Sequence, residues 1–204
     1  EVPTLEEIIQ LVTGMNISRK KNVGLYIEIK NPRFHRKANK NISSIVVKLL
    51  EKYNLNKEEE KIYLQCFDPK ELIYLKNDLK TQIPLIQLIG FNAWRESTDY
   101  DYEKMITPQG LEKVAQYAAG VGPSIYHVLT KGAEGNVQAT DLVLNAKKQN
   151  LKIHVFTVRA DQLPREVPSL DALFYGLFQV AKVDGVFTDH PDLTISYLKK
   201  TTIK

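Results

Sequence analysis

Apolar residues along the chain alternate between two periods. Leu5, Ile8, Ile9 and Val12 recur at helical spacing behind Pro3 and the capping-box pattern Thr4-Leu5-Glu6-Glu7, which predicts a helix from Leu5 to Val12 that Gly14 ends. Residues 23–30 form an apolar run that reads as a strand, and Ile42, Ile45, Val46, Leu49 and Leu50 then predict a helix to Tyr53. Residues 61–67 read as the next strand. Asp68-Pro69 opens a helix through Leu72, Tyr74 and Leu75, with Asp68 as N-cap and Pro69 in the first helical position. Residues 84–89 are an apolar strand broken only by Gln87, followed by a polar loop that carries Trp94. The pattern continues with a helix from Thr107 to Ala118, a brief extended segment at 120–123 and a helix over 139–149. It closes with a strand at 151–158, a helix over 170–181, a strand at 183–188 and a helix over 193–199.

Strands and helices thus alternate, with one extra helix in front of the first strand. This order implies an α/β protein of parallel strands covered by helices. An open doubly wound sheet usually carries a glycine-rich phosphate loop after its first strand, and this sequence has none. Polar residues instead fall at the C-terminal ends of several strands, as in a (β/α)8 TIM barrel. A complete barrel usually takes about 250 residues and about eight βα units. The expectation is therefore a single domain over residues 1–204 that holds about six of the strands, with the other two preceding residue 1.

The composition fits that picture: 43% hydrophobic, 25% charged and a formal net charge of +4 spread along 204 residues. The dense basic clusters, Arg19-Lys20-Lys21 and Lys199-Lys200, have no interleaved aromatics, so they read as solvated surface and not as a nucleic-acid site. Cys66 is the only cysteine, which excludes a disulfide framework and a cysteine-rich metal site. No run approaches the length of a membrane span, and the first residues read as helix, not as a signal peptide.

Candidate chemistry begins with Glu28 and Lys30. Residues two apart on a strand share a face, so this carboxylate and ammonium project together while Ile27 and Ile29 point away. Burying both would cost several kcal/mol unless each is paired or bound to a ligand, so the pair is either a strand-end salt bridge or part of a site. Gln65 and Gln87 are amides on apolar strands and need partners, either in a phosphate site or within the fold. Asp189, ahead of His190-Pro191, reads as the N-cap of the closing helix more readily than as a metal ligand.

Taken together, the strand ends resemble a known family. Tyr26-Ile27-Glu28-Ile29-Lys30-Asn31-Pro32, Tyr63-Leu64-Gln65-Cys66-Phe67-Asp68, Leu85-Ile86-Gln87-Leu88-Ile89, Gly122-Pro123, His154-Val155-Phe156-Thr157-Val158-Arg159 and the run from Asp184 to Asp192 are similar, in order, to the glycerophosphodiester phosphodiesterases. The likeness is strongest to the bacterial periplasmic, glycerol-3-phosphate-releasing branch. It implies a β/α barrel that hydrolyses a small glycerophosphodiester to glycerol 3-phosphate and an alcohol with a divalent cation, calcium or magnesium. It also implies a periplasmic or secreted location. Position by position, Glu28 matches a metal ligand, Lys30 the lysine that faces the phosphate, and Phe156 an aromatic that packs on the glycerol moiety, although an ordinary core aromatic would look the same. Gln65 and Gln87 are the remaining substrate-binding candidates.

The family's acid–base histidines and two further metal carboxylates belong to a His-Arg-Gly strand and a Glu-x-Asp strand, and neither pattern occurs here. No catalytic residue is identifiable among His35, His127, His154 and His190. Ala119 and Ser124 stand where the branch tends to have aspartates. The resemblance therefore implies the C-terminal portion of such an enzyme. Alone it would be a poor catalyst that dimerises through open sheet edges or needs a complementing N-terminal segment. The alternative is a non-catalytic binding protein derived from the same barrel.

Overall fold

A computed structural model of the chain describes residues 1–58, 61–94, 99–132, 136–165 and 167–202. Contacts divide it into two compact units, the first running from Glu1 to Gln87 and taking in Asp99, the second beginning at Leu88.

In the first unit, α1 (Leu5–Arg19) starts at the expected capping box: the Glu7 N–H donates to the Thr4 hydroxyl at 3.3 Å and the Thr4 N–H to the Glu7 carboxylate at 2.7 Å. The helix does not end at Gly14. A glycine inside a helix costs only about 1 kcal/mol. The stop comes at Lys20, whose left-handed φ of 50° lets the Lys21 N–H turn back to the Asn16 carbonyl at 2.9 Å. After β1 (Leu25–Glu28) comes α2 (Pro32–Lys37), a short helix that the apolar pattern does not mark; it begins on proline after Asn31 takes a φ of 48°. The Asn41 side chain caps α3 (Ile42–Lys52), then β2 (Ile62–Cys66) leads to α4 (Pro69–Asn77). The Asp68 carboxylate caps α4 as predicted, accepting from the Lys70 N–H at 3.0 Å.

The strands β1, β2 and β3 (Leu85–Ile89) are parallel, with Tyr26 beside Tyr63, Glu28 beside Gln65, and Cys66 beside Gln87. Because side chains alternate along a strand, Tyr26, Glu28, Tyr63 and Gln65 share one face, and Leu64, Cys66 and Gln87 share the other. That second face joins the core, where Leu64, Leu50, Leu72 and Leu75 are all 0% exposed. The thiol of Cys66 lies there too, its pKa pushed up to about 12 by burial.

Around α2, α3 and α4 lies a buried polar cluster. The Glu71 carboxylate accepts from Arg36 Nη2 at 2.6 and 2.7 Å and from the Ser43 hydroxyl at 2.5 Å. Arg36 also stacks its guanidinium over the Tyr74 ring at 4.6 Å, and the Tyr74 hydroxyl accepts from Asn41 Nδ2 at 2.8 Å.

In the second unit, a 3₁₀ turn (Asn92–Trp94) is followed by α5 (Tyr102–Met105), α6 (Pro108–Ala115), β4 (Gly120–Pro123) and α7 (Ile125–Val128). A hairpin of β5 (Leu129–Lys131) and β6 (Val137–Ala139) leads to α8 (Asp141–Lys148) and β7 (Lys152–Val158). Next, α9 (Leu170–Phe174) continues as a π-helical stretch (Tyr175–Val180), and β8 (Gly185–Thr188) and α10 (Pro191–Thr202) complete the unit. The strands β4, β7 and β8 are parallel, with Val121 beside Ile153 and Val155 beside Val186. Ile153, Val155, Leu173 and Leu177, all 0% exposed, form the centre of this unit.

The antiparallel β5–β6 hairpin was not predicted, because three-residue strands carry no readable period. It packs on the π-helical stretch at Gly176, where a Cβ would lie only 2.9 Å from Val137 and 3.0 Å from Leu129. Asp189 is not the N-cap of α10, since that helix begins at Pro191 and His190 holds the position before it. Its carboxylate pairs instead with Arg159 Nε at 3.5 Å, and the Thr188 hydroxyl accepts the His190 N–H at 3.0 Å. Among the described residues no helix is long and apolar enough to cross a membrane.

Candidate functional site

In the first unit the shared face of β1 and β2 is layered. The Tyr26 and Tyr63 rings stack with centroids 5.0 Å apart, and one step further along the strands stand Glu28 and Gln65. Beyond the end of β1, Lys30 Nζ approaches Glu28 Oε1 at 3.3 Å. This pair is not buried: the Lys30 side chain is 74% exposed and that of Glu28 27%. Such a contact contributes about 0–1 kcal/mol, so the ammonium can leave the carboxylate for an anionic ligand at little cost.

The turn that carries Lys30 is anchored behind it. Arg33, in the first turn of α2, donates from Nε to Asp68 and from Nη1 to Asp99, each at 2.8 Å. The Cys66 thiol donates to the Ile29 carbonyl at 3.1 Å, and the Asp68 N–H donates to the same sulfur at 3.3 Å. These ties link the end of β1 to the end of β2. No periodic signal pairs Arg33 with Asp68, 35 residues away, so the sequence reading missed this anchor.

Gln87 does not join the layered face. It is 0% exposed on the opposite side, where its amide donates to the carbonyls of Phe67 at 3.0 Å and Cys66 at 3.3 Å. Its amide satisfies backbone carbonyls where β2 ends, the structural alternative that the sequence left open for this residue. Glu28, Lys30 and Gln65 are the predicted residues that the first unit brings together.

Phe156 belongs to the second unit. It lies on β7, half-buried, with the Trp94 ring 6.4 Å away; Trp94 in turn packs edge-on to Phe91 at 4.9 Å. The loop reading of residues around Trp94 gave no sign of this aromatic group. Neighbouring β7, Arg159 donates from Nη2 to Asp161 at 2.7 Å, and His190 Nε2 lies 3.7 Å from the same carboxylate.

The other histidines lie among aromatic rings or in the core. The His35 ring meets Phe34 edge-on at 5.4 Å, and the His127 ring stacks on Phe91 at 4.1 Å. His154 is 8% exposed and lies against Gly185, where a Cβ would come within 3.2 Å of its ring. Burial lowers the pKa of both His127 and His154, although Asp184 works against it at His154. A group whose pKa is depressed in the fold stabilises above its ordinary value and loses that contribution as pH falls. Thermal stability is therefore expected to drop from about pH 7 to about pH 5, as the unfolded chain takes up protons near the ordinary histidine value of about 6.5. His127→Phe should flatten the profile, and unchanged melting temperatures across that range in the native protein would contradict it.

A divalent cation needs oxygen donors. Calcium takes about six to eight, whereas magnesium commonly uses one or two carboxylates plus water and substrate phosphate. Among the described residues no group of three or more His, Cys, Asp or Glu side chains could hold a metal ion. The donors of the described residues thus form no cage, and Glu28 is the ligand position that the family resemblance implies.

Parallel strands joined through helices, with a carboxylate and an ammonium where β1 ends, have the arrangement of a β/α barrel, in which polar groups collect at the C-terminal ends of the strands. The chain belongs to the Glycerophosphoryl diester phosphodiesterase family, whose model it matches over residues 1–193. It is 34% identical to a glycerophosphodiester phosphodiesterase of Haemophilus influenzae, over 97% of this chain and 58% of that protein. A second such enzyme, from Treponema pallidum, is 32% identical over 97% of this chain and 60% of its own length. The chain thus spans about three fifths of the curated relatives it matches. Among solved structures, a Silicibacter pomeroyi protein assigned to the same family superposes with a TM-score of 0.70 at 20% identity, covering 99% of this chain and 58% of that one. An Oleispira antarctica phosphodiesterase in complex with its product sn-glycerol-3-phosphate gives 0.66 at 16% identity, covering 97% of this chain and 61% of that one. These likenesses place the fold with the (β/α)8 barrels of the family, and the described residues contribute six parallel strands in two sets of three.

Proposed function

We propose that the protein hydrolyses glycerophosphodiesters to glycerol 3-phosphate and an alcohol. The observation that carries this reading is the pair Glu28 and Lys30 where β1 ends, on a chain that belongs to the phosphodiesterase family. Lys30 holds a mobile positive charge where a phosphoryl group could approach, and Arg33 and Cys66 fix the turn from which it extends. That ammonium offsets negative charge gathering on the non-bridging phosphoryl oxygens as the leaving alcohol departs. Glu28 would hold a calcium or magnesium ion through one carboxylate position; such an ion, when bound, supplies Lewis-acid polarisation of the phosphoryl oxygen. In the second unit, Phe156, with the Trp94 ring 6.4 Å away, is the aromatic that the family likeness assigns to the glycerol moiety.

Proton delivery to the leaving oxygen and removal from the attacking water each contribute about 10² to 10⁴-fold. Among the described residues the His35 and His127 rings pack on Phe34 and Phe91 and that of His154 lies against Gly185, so this stretch by itself is expected to turn over slowly.

The test is hydrolysis of sn-glycero-3-phosphocholine by the protein with calcium, with magnesium and with chelator. Glu28→Gln is expected to weaken divalent-cation binding in calorimetric titration and to remove most turnover, since a neutral amide is a poorer ligand for a hard cation. Unchanged cation affinity with unchanged turnover would remove Glu28 from the site. Binding of the diester with no turnover under any condition would favour a non-catalytic binding protein.

A further inference from the structure

Gln65 presents the most pointed anomaly of the first unit. Its side chain is 7% exposed, yet its Oε1 atom is enclosed with no hydrogen-bond partner among the described residues. Leaving a buried acceptor unpaired is costly, so a fold seldom keeps one without use for it. The contrast with Gln87 is direct: that amide, on the opposite face, donates to two backbone carbonyls.

Strand register sets where Gln65 stands. Beside Glu28 and one step beyond the stacked Tyr26 and Tyr63 rings, it shares the face from whose rim Lys30 extends. The unpaired atom is a carbonyl oxygen and accepts hydrogen bonds. Ionised phosphate oxygens are acceptors as well, so a phosphate group cannot satisfy it. A hydroxyl can. We infer that Gln65 forms a hydroxyl-accepting subsite beside Glu28 and Lys30, one that selects a polyol phosphate over a phosphate ester of a simple alkyl chain. This inference rests on the reading that Lys30 receives the phosphoryl group, and it adds a residue that decides which ester is preferred. Lys30 would attract any phosphate monoester, and Gln65 would distinguish those that carry a hydroxyl within reach.

The experiment is calorimetric binding of sn-glycerol 3-phosphate and of propyl phosphate, which lacks the hydroxyls, to the native protein, Gln65→Leu and Gln65→Met. One hydrogen bond of this kind corresponds to about a tenfold preference for glycerol 3-phosphate in the native protein. Both variants are expected to lose about that factor for glycerol 3-phosphate and to keep the affinity for propyl phosphate. Their melting temperatures should equal or exceed the native value, because the deleted carbonyl had no partner to lose. A glutamine with a merely structural role would instead lower the melting temperature and weaken both ligands together, which overturns the inference. Persistence of the native preference in both variants overturns it as well. Failure of the native protein to bind either ester would refute the phosphate-site reading itself, and the subsite with it. If both esters bind equally well, only the subsite falls.

Discussion

Lys30→Met is expected to lower kcat for glycerophosphodiester hydrolysis by about 10² to 10³-fold, the usual loss when one charge-stabilising donor is removed, while KM changes by no more than a few-fold. The asymmetry follows from the geometry. In the resting protein the ammonium is 74% exposed and its ion pair with Glu28 is a surface contact, so it already has water and a carboxylate for company. Ground-state binding would exchange one set of weak partners for another. Charge that grows on the phosphoryl oxygens during transfer is new, and only a cation already on a fixed turn can meet it without reorganisation. Arg33 and Cys66 hold that turn through Asp68, Asp99 and the Ile29 carbonyl. Steady-state kinetics on the native protein and the variant decide the matter: a rise in KM with kcat unchanged would make Lys30 a ground-state binder.

Arg36→Met is expected to destabilise the first unit by about 3 kcal/mol, because it leaves the Glu71 carboxylate buried with only a serine hydroxyl for support. For a chain of this size that corresponds to a fall in melting temperature of roughly 6–12 °C. The magnitude is set near the low end for a broken buried pair because the Arg36 side chain is itself 39% exposed. Replacing both partners in Arg36→Met/Glu71→Met removes the stranded charge together with its counterion and should recover most of the loss. Denaturant unfolding of the two single variants and the double variant closes the cycle. Additive losses would mean that the pair is not coupled and that the cluster around α2, α3 and α4 is held by packing alone.

Most of the element order was readable from local chemistry. The capping box at Thr4, the Asp68-Pro69 helix start and the apolar runs of β2, β3 and β7 all lie where the pattern places them, because caps and periodicity act within a few residues. The failures are also local. Gly14 reads as a stop, although its cost is small beside that of ending a helix early, and the β5–β6 hairpin is too short to show a period. In the candidate site, Glu28 and Lys30 were legible because spacing of two on a strand places them on one face.

What the sequence determined by itself is therefore the alternation of strand and helix, the family, and the identity of the strand-end charges, all of which depend on neighbours along the chain. What only tertiary structure decided is which polar groups find hydrogen-bond partners within the fold and which do not. Gln65 and Gln87 are the same residue type on adjacent apolar strands, and nothing within either segment separates them. Register does: it turns Gln87 toward the carbonyls of Cys66 and Phe67, where its amide is consumed, and sets Gln65 beside Glu28 with its oxygen unmatched. Hydrogen-bond satisfaction is a property of partners brought together across strands 20 or more residues apart, so it becomes visible only once those strands are paired.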